Sequence, residues 1–261
     1  MRALQIAATG MAAQQTRVEV ISQNLANMST TGYNARRAEF ADLAYQQVTR
    51  PGTIAAADGT MVPAGVQMGL GVRPTAVTLT LAQGTPTHTG GDLDVAIEGH
   101  GYLEVTLPSG ISAYTRDGGL KRSADGQIET SDGYALAPGL TIPQETRSLS
   151  ISAAGEVFAY FDDQIEPQNL GQITLAGFVN EKGLEAIGSN LFLETTASGA
   201  PLVGNPGEQG LGTLRQHYLE ESTVDPVREI TELIKAQRGY ELNSKVITAA
   251  DQMLGATVQV R

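Results

Sequence analysis

ALQIAATGMAAQQTRVEVISQNLANM, residues 3–28, sets how the rest of the chain is read. Leu4, Met11, Val18 and Leu25 stand seven apart, and Ala7, Gln14, Ile21 and Met28 form a second row of the same period. Two such rows are the a and d positions of a heptad, interrupted at Gln14, and they predict an amphipathic helix with an apolar seam. At 1.5 Å of rise per residue this is a rod of roughly 40 Å. Ser29-Thr30-Thr31-Gly32 stops it,.

The opposite end of the chain answers with the same period. From Asp225 to Val260, Leu233, Tyr240, Ile247 and Leu254 are again seven apart, and Ile230, Val246, Met253 and Val260 widen the stripe. Ser222, Thr223 and Asp225 offer N-caps, and Pro226 sits where the first turn tolerates proline,. The helix would be roughly 50 Å long, with Gly239 costing about 1 kcal/mol against alanine. The bland alternative is an amphipathic helix lying on a globular core. Two heptad helices at the two ends, with the chain returning between them, favour an antiparallel, coiled-coil-like pair. Neither would be stable alone in water.

Residues 35–220 differ in texture. Asp58-Gly59, Asp117-Gly118, Asp125-Gly126 and Asp132-Gly133 are hairpin-type turns,. Between them lie short stretches such as Leu103-Glu104-Val105-Thr106-Leu107, Gln127-Ile128-Glu129-Thr130 and Ile173-Thr174-Leu175, spaced as in an all-β domain,. Residues 51–75 are rich in Gly and Pro and have no period. The fold class is therefore α+β, two long terminal helices with an inserted β-rich body. Its expected divisions are 1–32 with 222–261, a connecting β/loop subdomain at 33–75, and an outer β-rich domain at 76–221. Aromatic residues are only 5% and Trp is absent, so the core must be Val, Ile, Leu and Ala.

A net charge of −11 leaves nothing to neutralise phosphates, so neither nucleic acid nor an anionic membrane surface is an expected partner,. With no Cys, disulfides and thiolate metal sites are excluded,. The first twenty residues carry Gln5, Gln14, Gln15, Arg17 and Glu19 and do not read as a signal peptide,. No run reaches the roughly 18 apolar residues of a membrane span. The chain thus reads as cytoplasmic, or as exported without cleavage. Asp92, Asp94 and Glu98 fail as a calcium loop, because Ala96 and Ile97 stand where a ligand and a glycine are needed,. His88, His100 and His217 are scattered, no Gly-x-Ser-x-Gly occurs, and Gly69-Leu70-Gly71 is too short for a phosphate loop,. No catalytic, cofactor or metal residues are expected, and the chain does not read as an enzyme.

Several stretches resemble the flagellar rod and hook family. Asn24-Leu25-Ala26-Asn27-Met28-Ser29-Thr30-Thr31-Gly32-Tyr33 resembles its N-terminal signature, and Gly91-Asp92-Leu93-Asp94-Val95-Ala96-Ile97-Glu98-Gly99 its middle-domain entry. Tyr114-Thr115-Arg116-Asp117-Gly118 resembles one of its hairpins. Gln237-Arg238-Gly239-Tyr240-Glu241-Leu242-Asn243-Ser244-Lys245 with Ala250-Asp251-Gln252-Met253-Leu254 is the most specific match. Asn34, Thr223 and Gly255 depart from the pattern, which has Lys, Asn and Gln there. The resemblance implies a structural subunit of the distal segment of the rod, polymerising into a hollow helical shaft that carries torque from motor to hook. It also implies export by the flagellar type III apparatus without signal cleavage and assembly in the periplasm. The implied partners are copies of itself, other rod subunits, hook subunits, and the P- and L-ring bushings. The expected subunit-interface residues are Leu4, Met11, Val18, Ile21, Asn24, Leu25 and Asn27 at one end and Ile230, Leu233, Tyr240, Ile247 and Leu254 at the other. The rivals are a proximal rod or hook subunit, and a β-scaffold enzyme or adhesin with an oligomerisation stalk.

Overall fold

The computed structural model describes residues 2–49, 65–162 and 166–259. A helix stands at each end, α1 over Arg2–Ala26 and α2 over Pro226–Gln259, and the residues between them are β-rich. Local chemistry sets these boundaries. Asp225 Oδ1 accepts the Val227 and Arg228 N–H groups at 3.0 and 3.2 Å, capping α2 just ahead of Pro226,. After α1, Asn27 accepts from Thr30 through its carbonyl and its side chain, and Gly32 turns the chain at φ +65°,. The chain forms two compact units, one of residues 1–25, 36–78 and 225–261, the other of residues 26–35 and 79–224.

In the first unit, β1 (Arg36–Asp42) pairs with β4 (Val72–Leu79), and β2 (Tyr45–Thr49) pairs antiparallel with β3 (Val66–Gly69). Asn24 is buried and fixes the start of β1: its Oδ1 accepts the Arg36 N–H at 2.9 Å and its Nδ2 donates to the Arg36 carbonyl at 2.8 Å. The turn before β4 lies on α1, where Thr9 Oγ1 accepts the Val72 N–H at 3.3 Å. Tyr45, Val48, Val66 and Met68 of the β2–β3 hairpin are exposed. Residues 51–64 of the Gly/Pro-rich stretch, with Asp58-Gly59, lie outside the described residues.

The second unit is antiparallel β. Its main sheet has nine strands, with the hairpin of Tyr102–Thr106 and Ser112–Thr115 near the middle. A three-stranded sheet runs through Thr146–Ile151, Glu156–Phe161 and Gln168–Gln172. The larger core cluster is aliphatic, built on Val95, Ile97, Leu103, Val105, Ile128, Ile142, Val157 and Leu175. A second cluster buries Tyr102, Tyr114 and Phe192 beside Leu79, Ala176 and Leu184, so the few aromatics are concentrated in the core rather than absent from it. Alternation along Tyr102–Thr106 puts Leu103 and Val105 inside and leaves Glu104 half-buried,. Asp125-Gly126 and Asp132-Gly133 do turn hairpins, with both glycines at positive φ,. Asp117-Gly118 does not. A Cβ on Gly118 would lie 1.6 Å from the Val95 carbonyl oxygen, so the glycine is there for close approach.

Candidate functional site

Within the first unit, α1 and α2 touch through small and polar side chains. A Cβ on Gly10 would sit 2.9 Å from Asn243 Nδ2, and one on Gly239 would sit 3.1 Å from Gln14 Cδ. Arg17 forms an ion pair with Glu232. The partners descend along α2 as they ascend along α1, from Gly10–Asn243 through Gln14–Gly239 to Arg17–Glu232. Lys235 donates to Glu232 at 2.8 Å, and this hydrogen bond, with Arg17 beside it, holds the Glu232 carboxyl below its ordinary range. Among the described residues, the buried side chains of the two helices are Ala7, Ala13, Val20, Ile21 and Asn24 on α1 and Ala236 and Ala250 on α2. Ala7, Gln14 and Ile21 lie on one heptad row, and Gly10, Arg17 and Asn24 on the next.

The expected interface residues therefore fall into distinct places. Ile21 and Asn24 are buried within the chain itself. Leu4, Met11, Val18 and Leu25 are half-buried along α1, as are Leu233 and Ile247 along α2. Ile230 and Tyr240 are exposed, each at 46%. Asn27 serves the turn after α1, and the Leu254 side chain and Val260 lie outside the described residues. Val227, Ile234, Leu242, Val246 and Met253 add further exposed apolar surface on α2. Sequence reasoning missed Gly10 and Asn243, and treated Gly239 only as a weak point of the helix.

The second unit holds most of the charge. It carries six Lys or Arg against nineteen Asp or Glu, a net of −13, whereas the first carries eleven against nine, a net of +2. Among the described residues its one deeply buried ion pair is Arg116 with Glu220, 2.9 Å apart and 6% and 2% exposed. Arg116 also donates to the Gly101 and Gly99 carbonyls, and Glu220 Oε1 accepts the Gly84 N–H at 2.8 Å. Every polar group of the pair thus has a partner, which is the condition for tolerating buried charge.

Beside the pair is a cleft of about 170 Å³ lined by Asn34, Gln83, His100, Tyr102, Arg116 and Glu181 among others. Glu181 accepts from the Tyr102 hydroxyl at 3.1 Å and faces His100 Nδ1 at 3.2 Å. Burial first, and Glu181 second, push the Tyr102 hydroxyl well above its ordinary range, so it stays a donor. The scattered histidines partly converge, since the rings of His88 and His217 lie 6.3 Å apart while His100 is elsewhere. Asp92 and Asp94 lie near His217 and Thr89, and Glu98 points out from its strand. Among the described residues no three metal-ligating side chains are placed to hold an ion.

Comparison with known proteins matches the whole length of this architecture. The family model for the flagella basal body rod protein matches residues 4–34, which cover all but the first two residues of α1. The model for the D1 domain of the flagellar hook protein FlgE/F/G matches 96–159, and that for the C-terminal part of the flagellar basal body rod FlgEFG protein matches 215–260. The flagellar basal-body rod protein FlgG of Caulobacter vibrioides is 57% identical, over 100% of both chains. That of Agrobacterium fabrum is 49% identical over 97% of each, and that of Bacillus subtilis 35% identical over 100% of this chain and 99% of the relative.

Proposed function

This chain belongs to the flagellar basal-body rod family, and from that premise we propose that it is a structural subunit of the bacterial flagellar distal rod. The full-length match to rod proteins at both helices and through the β-rich middle carries this reading. The subunit polymerises with its own copies into a hollow helical shaft that transmits torque, and joins other rod subunits and hook subunits at the ends. It works in the periplasm, inside the P- and L-rings, having left the cytoplasm through the flagellar export apparatus without cleavage. It is not an enzyme.

The helix contacts support an antiparallel, coiled-coil-like pair within each subunit. Gly10 and Gly239 let two backbones approach, while the larger side chains at Leu4, Met11, Val18, Leu25, Leu233, Tyr240 and Ile247 flank the contact. These flanking rows, with Ile230 and Leu254, are the surfaces that take neighbouring copies. Exposed apolar surface on this scale marks an interaction site, and heterologous contacts that do not close give an open helix.

The test is polymerisation of the purified full-length chain, followed by electron microscopy. Hollow helical rods are expected, with Leu4→Glu, Met11→Glu and Tyr240→Glu each abolishing them while the β-rich unit stays folded. Normal rods from all three variants would refute the interface. A chain that stays monomeric at high concentration and restores no motility to a strain lacking its rod subunit would refute the function.

A further inference from the structure

Residues 32–35 are buried in the second unit without belonging to any strand. Backbone polar groups so placed must be satisfied by something other than a ladder. Besides the local bond from the Tyr33 N–H to the Thr30 carbonyl at 3.3 Å, remote residues supply bonds to the segment 31–35. Asn190 Nδ2 donates to the Thr31 carbonyl at 2.7 Å. The Gly32 N–H donates to the Glu220 carbonyl at 2.8 Å, and the Thr223 N–H donates to the Tyr33 carbonyl at 3.0 Å. Thr223 Oγ1 accepts the Ala35 N–H at 2.8 Å, and the Thr80 N–H donates to the Ala35 carbonyl at 2.8 Å. Three of these five remote bonds lead to residues 220–223.

The packing points the same way. Tyr33 and Ala35 form an apolar cluster with Val224. Gly32 is at positive φ, and a Cβ there would lie 2.7 Å from the Arg116 backbone carbon. Arg116 is itself held by Glu220. The segment near the N-terminus and the segment leading into the C-terminal helix therefore complete each other's backbone hydrogen bonds.

We propose that residues 31–35 and 220–224 are the two halves of a latch that closes as one step. The consequence is that the two ends of the chain become ordered together. A subunit whose C-terminal half is not yet in place leaves 31–35 open, and the reverse holds by thermodynamic reciprocity. Thr223, which reads from sequence as a helix cap, is on this view a positioning residue for the other end of the chain. The inference concerns the free subunit and stands whether or not the rod reading does.

Amide hydrogen exchange on the full-length monomer tests it. Thr223→Val keeps the side-chain shape and removes both the acceptor and the donor. In that variant the Gly32 and Ala35 amides should exchange at least about tenfold faster, with the Leu103 and Ile128 amides of the β core unchanged. Thr223→Ser should restore protection. Acting from the other side, Asn190→Gly keeps the positive φ but loses the amide, and should speed exchange of the Thr223 N–H. Unchanged protection at Gly32 and Ala35 in Thr223→Val would overturn the latch. So would a parallel loss at Leu103 and Ile128, because the segment would then open only with the whole unit. An Asn190→Gly chain with normal Thr223 exchange would overturn the reciprocity.

Discussion

The close approach of α1 and α2 at Gly239 can be tested with a change whose sign depends on the contact. Gly239→Leu removes the helix penalty of glycine, a gain of about 1 kcal/mol in an isolated helix. In the chain, the first added carbon already lies 3.1 Å from Gln14 Cδ and 3.4 Å from its Cγ and Nε2. The remaining carbons must displace Gln14 or part the helices, an overpacking cost of about 2 kcal/mol. The net effect is a loss of about 1 kcal/mol, or roughly 4–8 °C in the melting of a unit of about 100 residues. Gly255 is the control, because a Cβ there meets nothing within 4 Å. Gly255→Ala should therefore be neutral or stabilising by up to about 1 kcal/mol. Thermal melts followed by far-ultraviolet circular dichroism, together with a swarming assay, read both variants. If Gly239→Leu melts at or above the parent temperature and swarms normally, the two helices do not pack at this point.

Four further outcomes follow from other parts of the molecule. Ile247→Asp puts a charge on the half-buried row beside the helix contact, and assembly and motility should be lost while exchange protection of the β core is unchanged. Arg116→Met leaves the Glu220 carboxylate buried alone, so the second unit should lose about 3–5 kcal/mol, visible as a large drop in its melting temperature. Asp117 titrates above its ordinary range, chiefly through burial and then through Asp132 and Asp94, so its charge opposes folding above its folded-state pKa and the opposition fades as pH falls. Asp117→Asn keeps the acceptor for the Gly119 N–H, and should raise the melting temperature at pH 7 but not at pH 3. Changing the exposed Glu145, Glu166, Glu185 and Glu208 to Lys takes the second unit from −13 to −5, and solubility of the folded subunit, measured by precipitation, should fall.

The uneven charge makes sense beside the uneven distribution of apolar surface. The first unit exposes Ile6, Tyr45, Val48, Val66, Met68, Val227, Ile230 and Leu242 among others, and its own net charge is close to zero. Such a surface alone favours indiscriminate association. The nineteen acidic residues of the second unit give every free subunit the same strong sign, which keeps like molecules apart at long range,. Screening confines that repulsion to about 8 Å at physiological salt. It therefore slows random encounter without opposing short-range contacts between helices that are themselves nearly neutral.

What the sequence made legible, and what it hid, divides by range. Heptad rows, the Asp225-Pro226 start and the Asp-Gly hairpins are local signals, and the terminal helices and two of the β turns followed from them. The side chains that join α1 to α2 were not legible, because a period shows which rows are apolar but not which row meets a partner. The large residues at Leu4, Met11, Val18 and Leu25 drew attention, whereas the contact runs through Gly10, Gln14 and Arg17. Two backbones approach closely where side chains are small, and a glycine at 10 finds its partner at 243, too far along the chain for any local pattern to register. Thr223 shows the same thing in polar form. Beside Asp225 and Pro226 it reads as one N-cap among several, yet its hydroxyl serves Ala35, 188 residues away. The cap position is filled by Asp225, which leaves Thr223 free for the long-range role.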